Sequence, residues 1–291
     1  MSESPWKQSV RRFYKNKLAI FGGIILLFIF AFTYIGPYFS PYPNDVINVV
    51  LRYKEPSLSH PFGTDRLGFD MMTKIMEGGR ISLALAALSA SVTLFFGTIV
   101  GTFAGYFGKW LDRLLMRIAE FIYVLPLLPM IIAFTAIFTF NVTPMKRMIF
   151  TMIIYGFLSF PKLARMIRGE ILSIKELEYI KATEVLGLKT HTRVFRHLLP
   201  NTIGVIVAST TGIIANAILL ELTLSFVGMG FPAGVATWGN LIPNIRGESL
   251  VTAGYYWMWF YPVTFISLTI ISINLLGEGL RDALDPKGEG Q

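Results

Sequence analysis

Cysteine is absent from this 291-residue chain, which excludes disulfides, thiolate metal ligands and a thiol nucleophile. Histidine occurs three times, as His60, His191 and His197, and none of them has the partner spacing of a metal site. Charge is scarce. Asp, Glu, Lys and Arg make up 15% of the residues, against about 25% in an average soluble chain. The sequence also lacks a Gly-x-x-x-x-Gly-Lys-Ser/Thr phosphate loop, a nucleophile elbow and an HExxH helix. It therefore offers no nucleotide hydrolysis and no recognisable catalytic constellation of its own.

Apolar sequence fills the space that charge leaves. Hydrophobic residues reach 53% and aromatics 14%, with a mean hydropathy of +0.57, which excludes disorder and a water-soluble surface. Uncharged runs cover 18–36, 81–107, 121–145, 198–220 and 249–277. Crossing about 30 Å of hydrocarbon takes roughly 20 helical residues, so each of these can span a membrane. A sixth run, 148–161, is short enough to suit a re-entrant or interfacial segment as well. It is read as a span because six crossings fit the charge distribution better than five. The first run is too long for a cleaved signal, and Pro37, Pro41 and Pro43 follow it instead of a small-x-small site. The expected fold is an all-α membrane protein with six transmembrane helices.

The charges set the orientation. Lys7, Arg11, Arg12, Lys15 and Lys17 precede the first run, and the positive-inside rule puts them in the cytoplasm. Alternation then makes 1–17, 108–120, 162–197 and 278–291 cytoplasmic, with 18 of the 26 Lys and Arg. The segments 37–80, 139–147 and 226–248 fall outside. Both termini are expected inside, and the net charge of +8 suits loops beside anionic lipid, with no nucleic-acid partner. Four parts follow: 1–17 as a cytoplasmic segment, 18–80 as first helix and outer loop, 81–277 as a five-helix core, and 278–291 as a cytoplasmic tail.

No assigned run contains an ionisable side chain, which disfavours a proton relay. Glu221 stands just past Leu220, where it is either interfacial or buried. Gly97, Gly101 and Gly105 recur at the four-residue spacing that lets helices approach closely, as generic packing or as a dimer seam. The loop 162–197 is far longer than a turn needs. Its stretch 175–186 has good helix formers and no Pro or Gly, with Leu177, Ile180 and Glu184 on one face. Gly187 stands where a left-handed residue stops a helix, with Leu188 as the apolar follower. Thr190 can cap the next piece and Pro200 marks a break. The pattern reads as a helix-turn-helix elbow facing the cytoplasm; an amphipathic helix resting on lipid is the alternative.

The stretch Tyr179-Ile180-Lys181-Ala182-Thr183-Glu184-Val185-Leu186-Gly187, with Leu199-Pro200 beyond it, resembles the EAA segment of inner-membrane permeases in binding-protein-dependent ABC importers. The Gly and Leu-Pro are in register. The triplet reads Lys181-Ala182-Thr183 where the pattern has Glu-Ala-Ala, so Lys181 reverses a charge. Three further blocks resemble the C-type subunit of the dipeptide and oligopeptide permeases. They are His60-Pro61-Phe62-Gly63-Thr64-Asp65-Arg66-Leu67-Gly68, then Leu224-Ser225-Phe226-Val227-Gly228-Met229-Gly230 with Trp238-Gly239-Asn240, and Asn274-Leu275-Leu276-Gly277-Glu278-Gly279-Leu280-Arg281-Asp282 running on to Pro286. Their order is also that of the family.

This resemblance implies a type I ABC importer permease fold in the cell inner membrane, with a cytoplasmic coupling helix and no catalysis of its own. It implies a homologous second permease, two ABC ATPase subunits that use ATP and Mg, and an extracytoplasmic solute-binding protein. It implies no directly bound cofactor. Tyr179, Lys181, Ala182, Thr183, Glu184, Leu186, Gly187 and Leu188 would couple to the ATPase. Asp65, Gly228, Gly230 and Trp238 are candidates for cavity or binding-protein contact, although the 60–68 block also suits shaping of the second span, and Gly228–Gly230 a plain surface turn. Glu278, Arg281 and Asp282 read as a solvated helix end, and Tyr255, Trp257 and Trp259 as a membrane-edge belt. Di- and oligopeptides are the expected cargo, with oligosaccharides or nickel complexes as alternatives in the same class. A stand-alone channel or ion-coupled carrier is the rival outside it.

Overall fold

The computed structural model describes residues 5–42, 47–137, 142–232, 235–242 and 254–284, with backbone alone for 5–9. Pro43, residues 138–141 of the third run, the start of the 249–277 run and the tail from 285 onward lie outside the described residues. Two helices open the chain, α1 (Pro5–Lys15) and α2 (Lys17–Tyr34). Asn16 separates them and accepts the Ala19 amide at 3.1 Å, the polar cap an N-terminus needs. Two short 3-10 turns, Gly36–Phe39 and Val49–Leu51, lead to α3 (Met71–Phe107). Then come α4 (Lys109–Val124), α5 (Leu127–Ile137), α6 (Pro144–Lys175), α7 (Glu178–Val185) and α8 (Thr190–Thr192). A π-helical turn at Arg193–Leu198 precedes α9 (Leu199–Asn201), α10 (Ile203–Phe226), α11 (Trp238–Leu241) and α12 (Trp257–Leu284). Among the described residues there is no strand, only an isolated antiparallel bridge between Thr64 and Asp70.

Helices α2, α3, α6, α10 and α12 are each long and apolar enough to cross a membrane, and α4 with α5 passes the same test as a pair bent by 83°. The uncharged run 121–145 is therefore not the single continuous span expected of it. Pro126 is the reason: Leu125 is held extended at φ −61°, ψ 136°, as the residue before a proline prefers. Direction decides between five crossings and six. Close approaches pair Gly156 with Ser89, Gly97 with Leu163, and Gly105 with Ile171, so residue numbers rise together and α3 runs parallel to α6. The chain between them must return the length of the bundle, and α4–α5 lies on that return.

Two boundaries differ from those read in the sequence. Helix α3 begins at Met71, ten residues ahead of its uncharged run, because Asp70 caps it by accepting the Thr73 amide at 2.8 Å. At about 1.5 Å per residue it far outreaches the hydrocarbon, which leaves Lys74, Glu77 and Arg80 on a helical extension. Helix α6 does not stop at Pro161 but continues to Lys175. A proline inside a helix costs a hydrogen bond and a clash. Here Leu163, Ile167 and Ile171 beyond it are fully buried against α3, and that packing carries the helix through. The connection expected over 162–197 is therefore elbow only from Glu176 onward.

Small residues set the remaining seams. Gly22 of α2 abuts Leu275 and Ser272 of α12, and Gly277 of α12 lies under Thr211 of α10. The Phe32 and Phe265 rings stack at 4.6 Å across the α2–α12 seam. Gly279 meets Ala19, and Gly204 faces Leu284. The starts of α2 and α10 and the end of α12 thus gather at the end of the bundle that carries α7–α9, called here the elbow end.

Candidate functional site

Helix α7 is short, and two side chains root it. Ile180 and Thr183 are buried, Ile180 in one apolar cluster with Ile171 and Ile174 of α6 and with Val194 and Leu198 of the following turn. Spacing placed Leu177, Ile180 and Glu184 on one face, but of the three only Ile180 is buried; Leu177 and Glu184 are exposed, and Glu184 stands 3.4 Å from Arg193. Gly187 adopts φ +70° with open space where a Cβ would project. The Leu188 amide reaches back to the Thr183 carbonyl at 3.1 Å and the Gly187 amide to Glu184 at 3.0 Å, the paired closure of a left-handed helix stop. Thr190 is the first residue of α8 rather than its cap, which is Lys189. Pro200 sits inside α9, and the break follows at Thr202.

The outward face of α7 is bare. Tyr179, Ala182, Val185 and Leu186 are exposed, Val185 at 89% and Leu186 at 76%. Lys181, the departure from the EAA triplet, makes a 2.8 Å ion pair with Glu176 in the same chain. That hydrogen bond and the ammonium charge behind it hold the Glu176 carboxyl below its ordinary range. Sequence reasoning passed over Tyr106 at the end of α3. Lys175 Nζ donates to its carbonyl at 2.9 Å, and Lys175 and Arg193 each stand 5.6 Å from its ring centroid. The elbow is thereby fastened to α3 and to α6 together. A cation at each end of a loop, facing an aromatic at the end of a span, was the available signal.

Beside the elbow, the α4–α5 break, α6 and α10 enclose a cleft of about 470 Å³. Among the described residues, Tyr123, Tyr155, Ser159, Lys162, Ser209, Asn216 and Arg281 supply its polar lining, with no carboxylate. Arg281 thus lies on a cleft wall as well as near a helix end. Gly97, Gly101 and Gly105 all face α6 of the same chain: a Cβ on Gly101 would stand 2.5 Å from the Ala164 carbonyl oxygen.

The 60–70 block is a closed knot at the other end of the bundle. Asp65 accepts the Leu67 and Phe69 amides at 2.8 and 2.9 Å and the Lys74 ammonium at 2.5 Å. His60 Nδ1 meets Asp70 Oδ2 at 2.9 Å, and the Trp257 indole donates to the Thr64 carbonyl at 3.1 Å. Asp65 and Trp238 are both buried, and Trp257 is a core residue and not part of a lipid-facing belt. Gly228 takes φ +87° in open space. Gly230 lies against Ser225, and its carbonyl accepts Arg147 Nη2 at 2.6 Å. Glu221 proves to be buried at 1% exposure inside α10. Among the described residues no group of His, Asp and Glu is placed to hold a metal.

Residues 97–289 match the family described as binding-protein-dependent transport system inner membrane component, and residues 4–56 match the N-terminal TM domain of oligopeptide transport permease C. An oligopeptide transport system permease protein OppC of Bacillus subtilis is 37% identical over 287 residues, covering 98% of this chain and 91% of that one. A dipeptide transport system permease protein DppC of the same organism is 39% identical over 277 residues, 95% and 84% of the two chains. A glutathione transport system permease protein GsiD of Pectobacterium atrosepticum is 34% identical over 285 residues, 98% and 92%. With an elbow rooted in two spans, a helical bundle and these full-length likenesses, the chain belongs to the inner-membrane permease components of binding-protein-dependent transport systems.

Proposed function

We propose that this chain is one permease subunit of an ATP-driven importer of di- and oligopeptides, and that α7 is the helix through which an ATPase subunit drives it. The observation that carries the reading is the bare apolar face of α7, set on a root shared by α3 and α6. An exposed patch of this kind marks an interaction site, and a push delivered there reaches both parallel spans at once. Residues Tyr179, Lys181, Ala182, Thr183, Glu184, Leu186, Gly187 and Leu188 shape or support that contact. A homologous permease, two ATPase subunits that use ATP and Mg, and an extracytoplasmic binding protein complete the machine. The elbow and both termini lie on the cytoplasmic side, in keeping with the excess of Lys and Arg there. The peptide and glutathione permeases among the relatives support a peptide cargo.

The absence of native cysteine makes the test clean. A photoactivatable maleimide on Val185→Cys should yield an adduct with a nucleotide-hydrolysing subunit in membranes holding the whole importer. Adducts with phospholipid alone would overturn the coupling role. Robust peptide uptake by the purified chain in liposomes, with no ATPase present, would favour the stand-alone carrier.

A further inference from the structure

Glu221 is an acidic side chain buried in the wall of a spanning helix, and among the described residues no cation pairs with it. Its neighbours are hydrogen-bond donors from other elements. Ser82 of α3 donates its hydroxyl to Oε2 at 2.6 Å, and the Gly239 amide of α11 donates to Oε1 at 3.2 Å. Ser82 Oγ in turn accepts the Trp238 amide at 3.1 Å, and the Trp238 indole donates to the Ile75 carbonyl of α3 at 3.0 Å. Gly239 admits nothing larger, since a Cβ there would stand 2.6 Å from Glu221 Oε1 and 2.5 Å from Ser225 Oγ. Asn240 gathers the carbonyls of Phe231 and Val235 at 2.9 and 3.1 Å, and Arg147 of α6 reaches the Gly230 carbonyl just after α10. One carboxyl group is therefore the meeting point of α3, α10 and α11, with α6 tied to the same loop.

The Trp-Gly-Asn triplet thus has three separate duties, an anchor, a gap and a knot, and all three serve to seat α11 on Glu221. A carboxyl group is costly to bury unless it is hydrogen-bonded, so its presence here points to a demand that an apolar residue would not meet. The lever reading of the elbow supplies one. A push at the elbow end becomes tilt of the bundle only if the opposite ends of α3, α6 and α10 cannot slide past one another.

We propose that Glu221 is a positioning residue for transport, the clamp that makes the far ends of α3, α6, α10 and α11 move as one body. This rests on the importer reading above. The test uses the whole complex in proteoliposomes and reads peptide transported per ATP hydrolysed. Glu221→Gln keeps an acceptor for Gly239 and an amide for Ser82, and its ratio should stay within about twofold of the native complex; Glu221→Leu leaves the Ser82 and Gly239 donors among those unsatisfied, and the ratio should fall about fivefold or more while ATP is still hydrolysed. A native ratio in Glu221→Leu overturns the proposal, and so does an equal fall in transport and hydrolysis, which is the mark of a merely structural role. If Glu221→Leu does not assemble, Ser82→Ala decides: a lowered ratio supports the clamp and an unchanged one overturns it. Absence of ATP-driven uptake by the native complex would instead sink the importer reading.

Discussion

Arg168 of α6 grips Asp112 of α4 in a fork, its Nε and Nη2 donating to the two carboxylate oxygens at 2.5 and 2.6 Å. Both groups are largely sheltered, and the fork pins the helix before the Pro126 break to the segment of α6 that leads into the elbow. Planar two-point geometry of this kind is stronger than a single ion contact, and lysine cannot reproduce it. Asp112→Ala should lower stability by about 1–3 kcal/mol through the lost bonds and the stranded guanidinium. Arg168→Lys should recover little of that. Thermal melts of the detergent-solubilised chain check both.

Gly187 offers a test of backbone conformation free of packing, because nothing lies near the position a Cβ would take. At φ +70° a β-branched residue is penalised by about 1–2 kcal/mol. Gly187→Val should leave membrane insertion intact and lower peptide transport per ATP hydrolysed. Gly187→Asn, which tolerates the left-handed region, should fall between Val and the native residue. Equal ratios for all three would mean that the turn does not transmit motion.

Two glycines on the facing helices α3 and α6 should respond in opposite directions. Gly101→Ala drives a methyl group to within 2.5 Å of the Ala164 carbonyl, and overpacking of that kind costs about 1–3 kcal/mol. Gly169 of α6 has open space where a methyl group would project, so Gly169→Ala gains about 0.5–1 kcal/mol from helix propensity. Melting temperatures of the two variants should move apart, down for the first and up for the second.

The Lys181–Glu176 pair predicts a titration rather than a stability effect. Hydrogen bonding from Lys181 lowers the Glu176 pKa in the folded chain. The contribution of the pair is therefore present at neutral pH and lost as pH falls through that lowered value. Lys181→Ala should raise the Glu176 carboxyl toward its ordinary range in a carboxyl-carbon NMR titration. The melting temperature at neutral pH should hardly change, because so exposed a pair is worth little.

The all-helical membrane class was written in composition, because uncharged runs of this length fit hydrocarbon and little else. The elbow was legible at Gly187, where chain chemistry alone demands a left-handed residue, and in the register of Leu199-Pro200. Periodicity put Leu177 and Glu184 on the face of Ile180, yet both are exposed, since so short a helix does not let spacing choose between Ile180–Thr183 and Ile180–Glu184. The 60–68 block showed its turn residues but not its closure. That Asp65 and Trp238 look inward follows from partners elsewhere in the chain, Lys74 for one and Ile75 for the other.

By itself the sequence determined that this chain lives in a bilayer and where its elbow must turn, since each is settled by a residue's own chemistry or by a local run. Only the tertiary structure decided that Pro126 breaks one helix while α6 passes through Pro161, that α3 and α6 run parallel with glycines between them, and that Glu221 is buried. Those outcomes depend on which distant surface a residue meets. A proline is tolerated, or a carboxyl group accepted inside a span, only when another helix supplies the packing or the donors, and no window along the chain contains that other helix.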